Sequence, residues 1–174
     1  MDIEVHTSAS TEESLRALNG VMVEGVECTG YVKLPDQAKT AMSIVAAADY
    51  DLYFKEGYEA PVSVSAFSDG IRDFFEKPAE VLITKQTKKS ERVLDIKPLI
   101  YGFKVTDRGG APSFYLKLST GSTDNLKPEL VLEALFTHMG ISYDPNAIQI
   151  HRKDVYASDG DAFVSLGAMG EVIE

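Results

Sequence analysis

Apolar and polar positions along the chain separate strands from helices. The segment 42–54 alternates apolar and polar residues in its second half, which is the period of a half-buried strand. From Phe67 to Phe75 apolar residues recur at i, i+4, i+7 and i+8, which predicts a helix with one buried stripe, and Pro78 ends it. A strand followed by an amphipathic helix is therefore predicted here.

The pattern after this helix predicts five more strands and a second helix. The strands are expected at 81–84 and 92–96, which form a hairpin around a polar tip, and at 99–105, 114–118 and 148–156, with the helix running from Leu130 to Met139. From about residue 42 the order is then β-α-β, an inserted hairpin, and β-α-β. We predict an α+β fold, a ferredoxin-like split β-α-β sandwich with an inserted β-hairpin, over residues 42–157.

The two ends of the chain give weaker patterns. Residues 2–7 alternate, Thr11 begins a short helix, and 26–34 has the composition of a strand. This predicts a partial β-α-β unit over residues 1–38, the remnant of a first ferredoxin-like domain. The glycine-rich tail 158–174 is expected to be loosely ordered or to form a short docking segment.

Composition limits the function. The 174 residues carry a net charge of −10 and a single cysteine, Cys28. An iron–sulfur cluster held by three thiolates cannot form on one such chain, and the far field repels nucleic acid and anionic lipid. No apolar run is long enough to cross a bilayer, and the first residues lack the pattern of a signal peptide, so we expect a soluble, cytoplasmic protein with no membrane partner.

The predicted hairpin concentrates positive charge on a chain that is otherwise acidic. It could act as an electrostatic arm that grips an RNA backbone or an acidic protein face, or it could simply keep a sheet edge soluble. No aromatic residue lies between its cations, so base stacking at the tip is not supported. The candidate partner- or RNA-binding residues are Lys85, Lys88, Lys89, Arg92 and Lys97.

A second set of residues suggests a ligand site or a structural motif. Asp95 and Lys97 lie two apart on a strand and share a face, so Asp95 could orient Lys97 or Arg152, or brace the structure. The loop before the second helix could bind an anion, or Asp124 or Asn125 could cap that helix. The candidates are Asp95, Pro98, Arg152, Gly121 and Asn125.

Catalytic chemistry finds no support in the residue pattern. His6, His138 and His151 lie far apart without ligand spacing, and Cys28 has no histidine partner nearby in sequence. We therefore predict no catalytic residue, no metal site and no cofactor.

Three features together resemble the radical SAM-linked protein family. They are residues 94–100 (LDIKPLI), residues 125–135 (NLKPELVLEAL) and Arg152, and the similarity extends over roughly residues 1–156. Family members carry an additional N-terminal segment that has no counterpart here, so Met1 is expected to mark an expressed fragment or a late start codon. The resemblance implies that the first sheet lacks partner strands and that its exposed edge could mediate self-association.

The resemblance implies an accessory protein that docks on a radical SAM enzyme or presents its substrate, with the enzyme supplying the cluster. The alternative is an RNA-binding adaptor for RNA modification or processing that uses the basic hairpin. A self-contained hydrolase or transferase is the third hypothesis, and the residues do not support it.

Overall fold

A computed structural model describes residues 2–6, 9–86, 91–121 and 124–174, with nothing stated of the side chains of Lys85 and Gln86. It is a mixed α+β protein in which a five-stranded sheet and a two-stranded hairpin share a core with two helices. Its elements are α1 (Thr11–Asn19), α2 (Ala41–Ile44), β1 (Val45–Phe54), α3 (Val64–Glu76), β2 (Leu82–Gln86), β3 (Glu91–Asp95), β4 (Ile100–Arg108), β5 (Ala111–Ser119), α4 (Pro128–His138), β6 (Ile148–Asp159) and β7 (Ala162–Ser165), with 3-10 turns at Lys97–Leu99 and Leu166–Ala168.

The long sheet is antiparallel and has the strand order β4-β5-β1-β6-β7. β1 lies in the centre, paired with β5 from Ala47 to Tyr53 and with β6 from Val45 to Phe54. The antiparallel pairing lets one face of the sheet be buried while the other stays polar. The α+β class agrees with the sequence prediction.

Helices α3 and α4 cover one face of the sheet. Ser63 caps α3 through its hydroxyl, which accepts from the Ala66 amide at 3.3 Å, and the predicted stripe of this helix is buried. The Phe67 ring meets Phe114 of β5 edge-on, with 4.9 Å between centroids, and lies 5.4 Å from the Phe136 ring of α4. These contacts fix both helices against the middle of the sheet.

The hairpin predicted between the first helix and β4 is present as β2 and β3. We call it the arm; it pairs Leu82 with Asp95 and Thr84 with Val93, and its tip, 87–90, lies outside the described residues. Ile83 and Leu94 pack against the core, whereas Leu82 and Val93 are exposed. The arm therefore has one buried and one exposed apolar face.

The strands predicted near the start of the chain are not formed by the described residues 2–6 and 26–34. Lys33 alone makes an isolated bridge there, to Glu171. One reason is that the Asn19 side chain takes both backbone polar groups of Cys28, accepting from its amide at 2.7 Å and donating to its carbonyl at 3.0 Å. The expected edge for self-association thus lacks its strands, and self-association and the 1–38 half-unit both stay predictions.

The tail, residues 158–174, was expected to be loosely ordered or to form a short docking segment. In the structure part of it is an ordered strand. β6 continues to Asp159, turns at Gly160 with a φ of 59°, and returns as β7, the fifth strand of the sheet. Residues beyond it then contact the N-terminal segment, where the Thr11 amide donates to the Ile173 carbonyl at 2.9 Å. Residues 162–165 of the predicted tail thus form an ordered strand, and the docking segment stays a prediction.

None of the helices in the described ranges is long and apolar enough to cross a membrane.

Candidate functional site

The face of the sheet that points away from α3 and α4 carries polar and aromatic side chains. Along β1 and β5, core residues alternate with Asp49 and Asp51 and with Tyr115 and Lys117. Successive side chains of a strand point to opposite faces, so these four lie on the side opposite the helices. We call this side, with Tyr156 of β6 and Phe163 of β7, the open face.

Asp49 lies at the centre of the open face, on the middle strand. It is only 7% exposed, and its Oδ2 atom accepts hydrogen bonds from the Tyr156 hydroxyl at 3.0 Å and the Tyr115 hydroxyl at 3.5 Å. Its Oδ1 atom is buried and has no hydrogen-bond partner among the described residues. A buried charged acceptor without a donor destabilises a fold by ~1–3 kcal/mol or more, so this atom has a strong preference for a donor.

Both tyrosines beside Asp49 are held in their protonated form. Burial, followed by the hydrogen bond to Asp49 and its negative charge, raises the pKa of Tyr156 to about 12. Burial and then the charge of Asp49 raise the pKa of Tyr115 as well. At neutral pH both hydroxyls are therefore protonated and donate hydrogen bonds to Asp49 Oδ2.

A cation and aromatic rings continue the open face towards its edge strands. Lys117, directly opposite Asp49 in the register, places Nζ 3.7 Å from the Tyr156 ring centroid and 4.7 Å from that of Phe163. The centroid of the Phe163 ring lies 4.9 Å from that of the Tyr101 ring of β4, and the two ring planes form an angle of 40°. Such cation–π contacts contribute ~0.5–1 kcal/mol each when exposed, so they keep Lys117 beside the rings.

The opposite end of the same face holds two further charge contacts. Lys153 lies 3.5 Å from a carboxylate oxygen of Asp51, and the Arg108 guanidinium lies 4.0 Å from the Tyr53 ring centroid. The face therefore offers rings and cations along most of its length.

A family comparison adds to this geometry. The model of a family described as uncharacterised proteins conserved in bacteria, DUF2344, matches residues 1–128. The chain belongs to DUF2344. No curated protein and no solved structure matches it.

The DUF2344 match spans α1 to β5 and ends at the first residue of α4. It therefore includes Asp49, Tyr115 and Lys117, whereas Tyr156 and Phe163 lie beyond it. The family description names no reaction, cofactor or partner.

In the DUF2344 chain, Asp95 and Lys97 brace the structure. The Asp95 carboxylate accepts from the Val81 amide at 2.9 Å and from the Lys97 amide at 3.1 Å. The Lys97 ammonium donates to the Phe75 carbonyl at 2.8 Å and to that of Pro78. Lys97 thus satisfies carbonyls at the end of α3 instead of extending the basic tip.

The remaining residues of that motif are structural too. Ile96 is completely buried between the two braces, and Pro98 lies in the 3-10 turn that leads into β4. Arg152 lies on β6 opposite Tyr50, and no ion pair joins it to Asp95 in the ranges that the structure describes. The pairing of Asp95 with Arg152 at a ligand site is therefore not formed.

Only part of the predicted basic set can be placed. Arg92 is exposed on β3 and pairs in register with Lys85 of β2, while Lys88 and Lys89 lie outside the described residues. Beside the arm, a groove of about 460 Å³ runs along β2 and α4, lined by residues that include Val81, Leu82 and Leu130. Of the described residues, the arm thus carries the exposed cation Arg92 together with an apolar flank.

Two roles were predicted for the loop before α4, of which capping is wrong and anion binding stays a prediction. The N-cap position of α4 is Lys127, without a side-chain capping bond in the described part, and Pro128 follows it, so neither Asp124 nor Asn125 occupies the N-cap position. Gly121 has a steric role: a Cβ atom there would lie 2.6 Å from the Val45 carbonyl oxygen. Glycine allows this loop to pass close to β1.

Sequence reasoning missed the open face because it depends on register. In the sequence Asp49 is one of 27 acidic residues, and no motif in its immediate neighbourhood marks it as part of a site. A charged residue between apolar neighbours in a central strand was the available signal, since such residues rarely lie buried without a partner. Which residues would surround it could be known only from the pairing of β1 with β5 and β6.

Proposed function

We propose that this DUF2344 protein is a noncatalytic accessory module that docks on a radical SAM enzyme through the arm. The observation that carries the proposal is the exposed apolar face of the arm, where Leu82 is 58% and Val93 is 62% exposed. The register makes the two residues diagonal neighbours on that face. Exposed apolar side chains gathered on one surface favour contact with another protein.

The radical SAM partner is suggested by the resemblance of residues 94–100 and 125–135 to the radical SAM-linked family. In this proposal the enzyme supplies the iron–sulfur cluster, because the only cysteine, Cys28, cannot provide three thiolates. The chain supplies a rigid surface: Lys97 fixes the base of the arm to α3, and Asp95 holds the Val81 amide next to β2. A single cysteine also fits a reducing compartment, so we place the complex in the cytoplasm.

We further propose that residues 42–157 form a ferredoxin-like unit. Without the arm, the elements from β1 to β6 follow in the order β-α-β-β-α-β, and their strands are arranged as β4-β5-β1-β6. This order, the antiparallel pairing and the placement of α3 and α4 on one face are the features expected of a split β-α-β sandwich. β7 is then an addition at the edge.

Docking is tested by mixing the purified chain with a purified radical SAM enzyme from the same organism at micromolar concentration and measuring light scattering. The variant L82E/V93E should lose association, because both charges would be buried against the partner. The matched control is V21E/V23E, which changes two valines that are also exposed, but outside the arm. No association of the wild-type chain, or equal loss in both variants, would overturn the proposal.

A second candidate, an RNA-binding adaptor, is favoured by the open face. Tyr101 is 45% exposed and packs against Phe163, with the Lys117 ammonium beside the Phe163 ring. Single-stranded RNA binders combine aromatic rings and cations in this way. The net charge of −10 works against binding at long range, so contact depends on this face and on the basic end of the arm.

RNA binding is tested with fluorescent tRNA and a fluorescent unstructured oligoribonucleotide across a salt series. The variant Y101A/F163A should weaken binding of the unstructured RNA by about tenfold or more, since stacking contributes ~1–3 kcal/mol per base. K85Q/R92Q should reduce the slope of affinity against salt. Absence of binding by the wild-type chain at low salt would remove this candidate and leave docking.

A further inference from the structure

We infer that the groove between β2 and α4 binds an extended segment of the partner protein. This segment adds a strand to the free edge of β2, and its apolar residues alternate with lysine or arginine. The inference rests on the proposed docking function and names the part of the partner that the arm receives. Its starting point is the groove of about 460 Å³, a volume within the range of ligand-binding clefts.

One edge of β2 is unpaired, since β2 belongs to a sheet of two strands and pairs with β3. The Ile96 amide donates to the Val81 carbonyl at 2.9 Å, so Val81 turns its carbonyl towards β3. Hydrogen-bonded and non-hydrogen-bonded pairs alternate in an antiparallel ladder, so the amides and carbonyls of Leu82 and Thr84 point to the other side. In the described part of the chain no backbone group pairs with them there. These four groups are therefore a template for an added strand.

The groove runs beside this edge. Residues 81–84 line one wall, Leu130 and Ala134 of α4 line the other, and none of its described lining residues belongs to β3. Val81 and Ile83, like the two residues of α4, pack against the core, so the groove has an apolar floor. The four residues on the β2 side span ~13 Å, which is enough for a short strand to pair. Every second side chain of such a strand would point to the floor.

The charge of the groove selects a basic segment. Glu80 and Glu133 line the groove and are exposed, and neither forms an ion pair within the described ranges. No lysine or arginine is among the described lining residues, and the ring of His138 packs edge-on against Phe74 at 5.7 Å. A lysine or arginine of the added strand can lay its stem on the apolar surface and pair its head with a carboxylate. A second copy of this chain suits the groove less well, because each copy carries a net charge of −10.

The first test measures binding of fluorescent peptides to the full chain by anisotropy. The probe is a hexapeptide with blocked ends that alternates valine and lysine, and two isomers of it carry N-methyl groups on all lysine amides or on all valine amides. Both isomers have the same charge and composition, but alternate amides point to opposite sides of a strand, so one isomer alone keeps its donors towards Leu82 and Thr84. The affinities of the two isomers should differ by about tenfold or more. Equal affinities, or no binding of the probe, would overturn the added strand.

Two proline variants separate the two edges of the arm. T84P removes an amide from the outer edge of β2, and V93P removes the corresponding amide of β3, because Val93 is the register partner of Thr84. Neither amide belongs to the ladder between the two strands, so both variants should keep that ladder. T84P should weaken probe binding by about tenfold or more, whereas V93P should leave it unchanged, and equal effects would overturn the assignment to β2. If either variant does not fold, the two N-methylated isomers on the wild-type chain decide alone.

The basic character of the segment is tested with E80Q/E133Q. This variant should weaken binding of the probe by about threefold or more, since exposed ion pairs are weak and two of them would be lost. The matched control is E24Q/E27Q, which removes the same charge from two exposed acids outside the groove and should leave binding unchanged. An equal loss in both variants would mean that net charge alone attracts the probe, and would overturn the choice of a basic segment.

Association with the purified radical SAM enzyme separates the groove from the docking function on which it rests. Enzyme binding that T84P loses and V93P keeps supports both. Equal enzyme binding by the wild type and T84P overturns the groove as the docking site and leaves the docking function standing. Probe binding that distinguishes the isomers, without enzyme binding, supports the groove and overturns the docking function, and binding of neither overturns both. A wild-type dimer that T84P dissociates would place a second copy in the groove and overturn the choice of occupant.

Discussion

Replacement of Lys97 by methionine is the sharpest test of how the arm is fixed. Methionine keeps most of the aliphatic stem and removes the ammonium, which donates to the carbonyls of Phe75 and Pro78. These carbonyls lie at and just beyond the C-terminus of α3, where a cation also complements the helix dipole. The variant therefore removes two charge-assisted hydrogen bonds and a dipole contact in one step.

The magnitude follows from these contacts. Hydrogen bonds to a charged group contribute ~1.5–3 kcal/mol each, and because Lys97 is half-buried the lower value applies. Two such bonds give about 3 kcal/mol of lost unfolding free energy. For a chain of this size each kcal/mol lowers Tm by ~2–4 °C, so K97M should melt about 6–12 °C below the wild type.

Urea unfolding followed by far-UV circular dichroism measures the difference. R92Q serves as the control, since it removes an exposed positive charge from the same arm and should change stability by less than ~0.5 kcal/mol. Both variants are also assayed for binding of the radical SAM enzyme and of RNA. K97M with wild-type stability and lost binding would refute the reasoning, because Lys97 would then act in recognition.

Three further predictions concern the sheet and the core. G121A should destabilise the fold by ~1–3 kcal/mol in a melting experiment, because its Cβ would meet the Val45 carbonyl oxygen; an unchanged Tm would contradict the close approach. Tyr156 has a folded-state pKa of about 12, above its ordinary value of 10.0, so its contribution to stability is complete below about pH 10 and is lost as pH rises to about 12. Urea titrations between pH 10 and 12 should show that the free energy of unfolding falls less steeply with pH in Y156F than in the wild type. Equal slopes in the two proteins would disprove the raised pKa of Tyr156. I96A should lose ~2–5 kcal/mol of unfolding free energy, since Ile96 is completely buried, and a loss below ~1 kcal/mol would mean that the motif is not anchored in the core.

Helices α3 and α4 and strands β1 to β6 could be predicted because their patterns depend on neighbours in sequence. The apolar stripe from Phe67 to Phe74 predicted α3. The two runs of strand-forming residues on either side of the polar tip predicted the arm. The segment 26–34 has strand composition but no partner strand, and Asn19 occupies the backbone of Cys28 there. Strand propensity reflects packing against partners, so composition alone was misleading.

The candidate site could not be predicted because long-range pairing creates it. Asp49 and Tyr156 are brought together by the register of β1 and β6, more than a hundred residues apart in sequence. Lys97 looked like part of a basic patch because sequence does not reveal that its ammonium reaches α3. In both cases the hydrogen-bond partner of the side chain comes from an element that is distant in sequence.

The contact between the two ends of the chain has a consequence for the order of events on the ribosome. Lys33 and Glu171 exchange backbone hydrogen bonds of 2.8 and 2.9 Å, and Thr11 is bonded to Ile173 through its amide and its hydroxyl. All nine residues of α1 are at least partly exposed, so this helix has little core of its own to hold it. At ~5–20 residues per second, its partners are synthesised on the order of ten seconds later. During translation the segment 11–33 therefore lacks these partners, and stays accessible to chaperones, until residues 171–173 have left the exit tunnel.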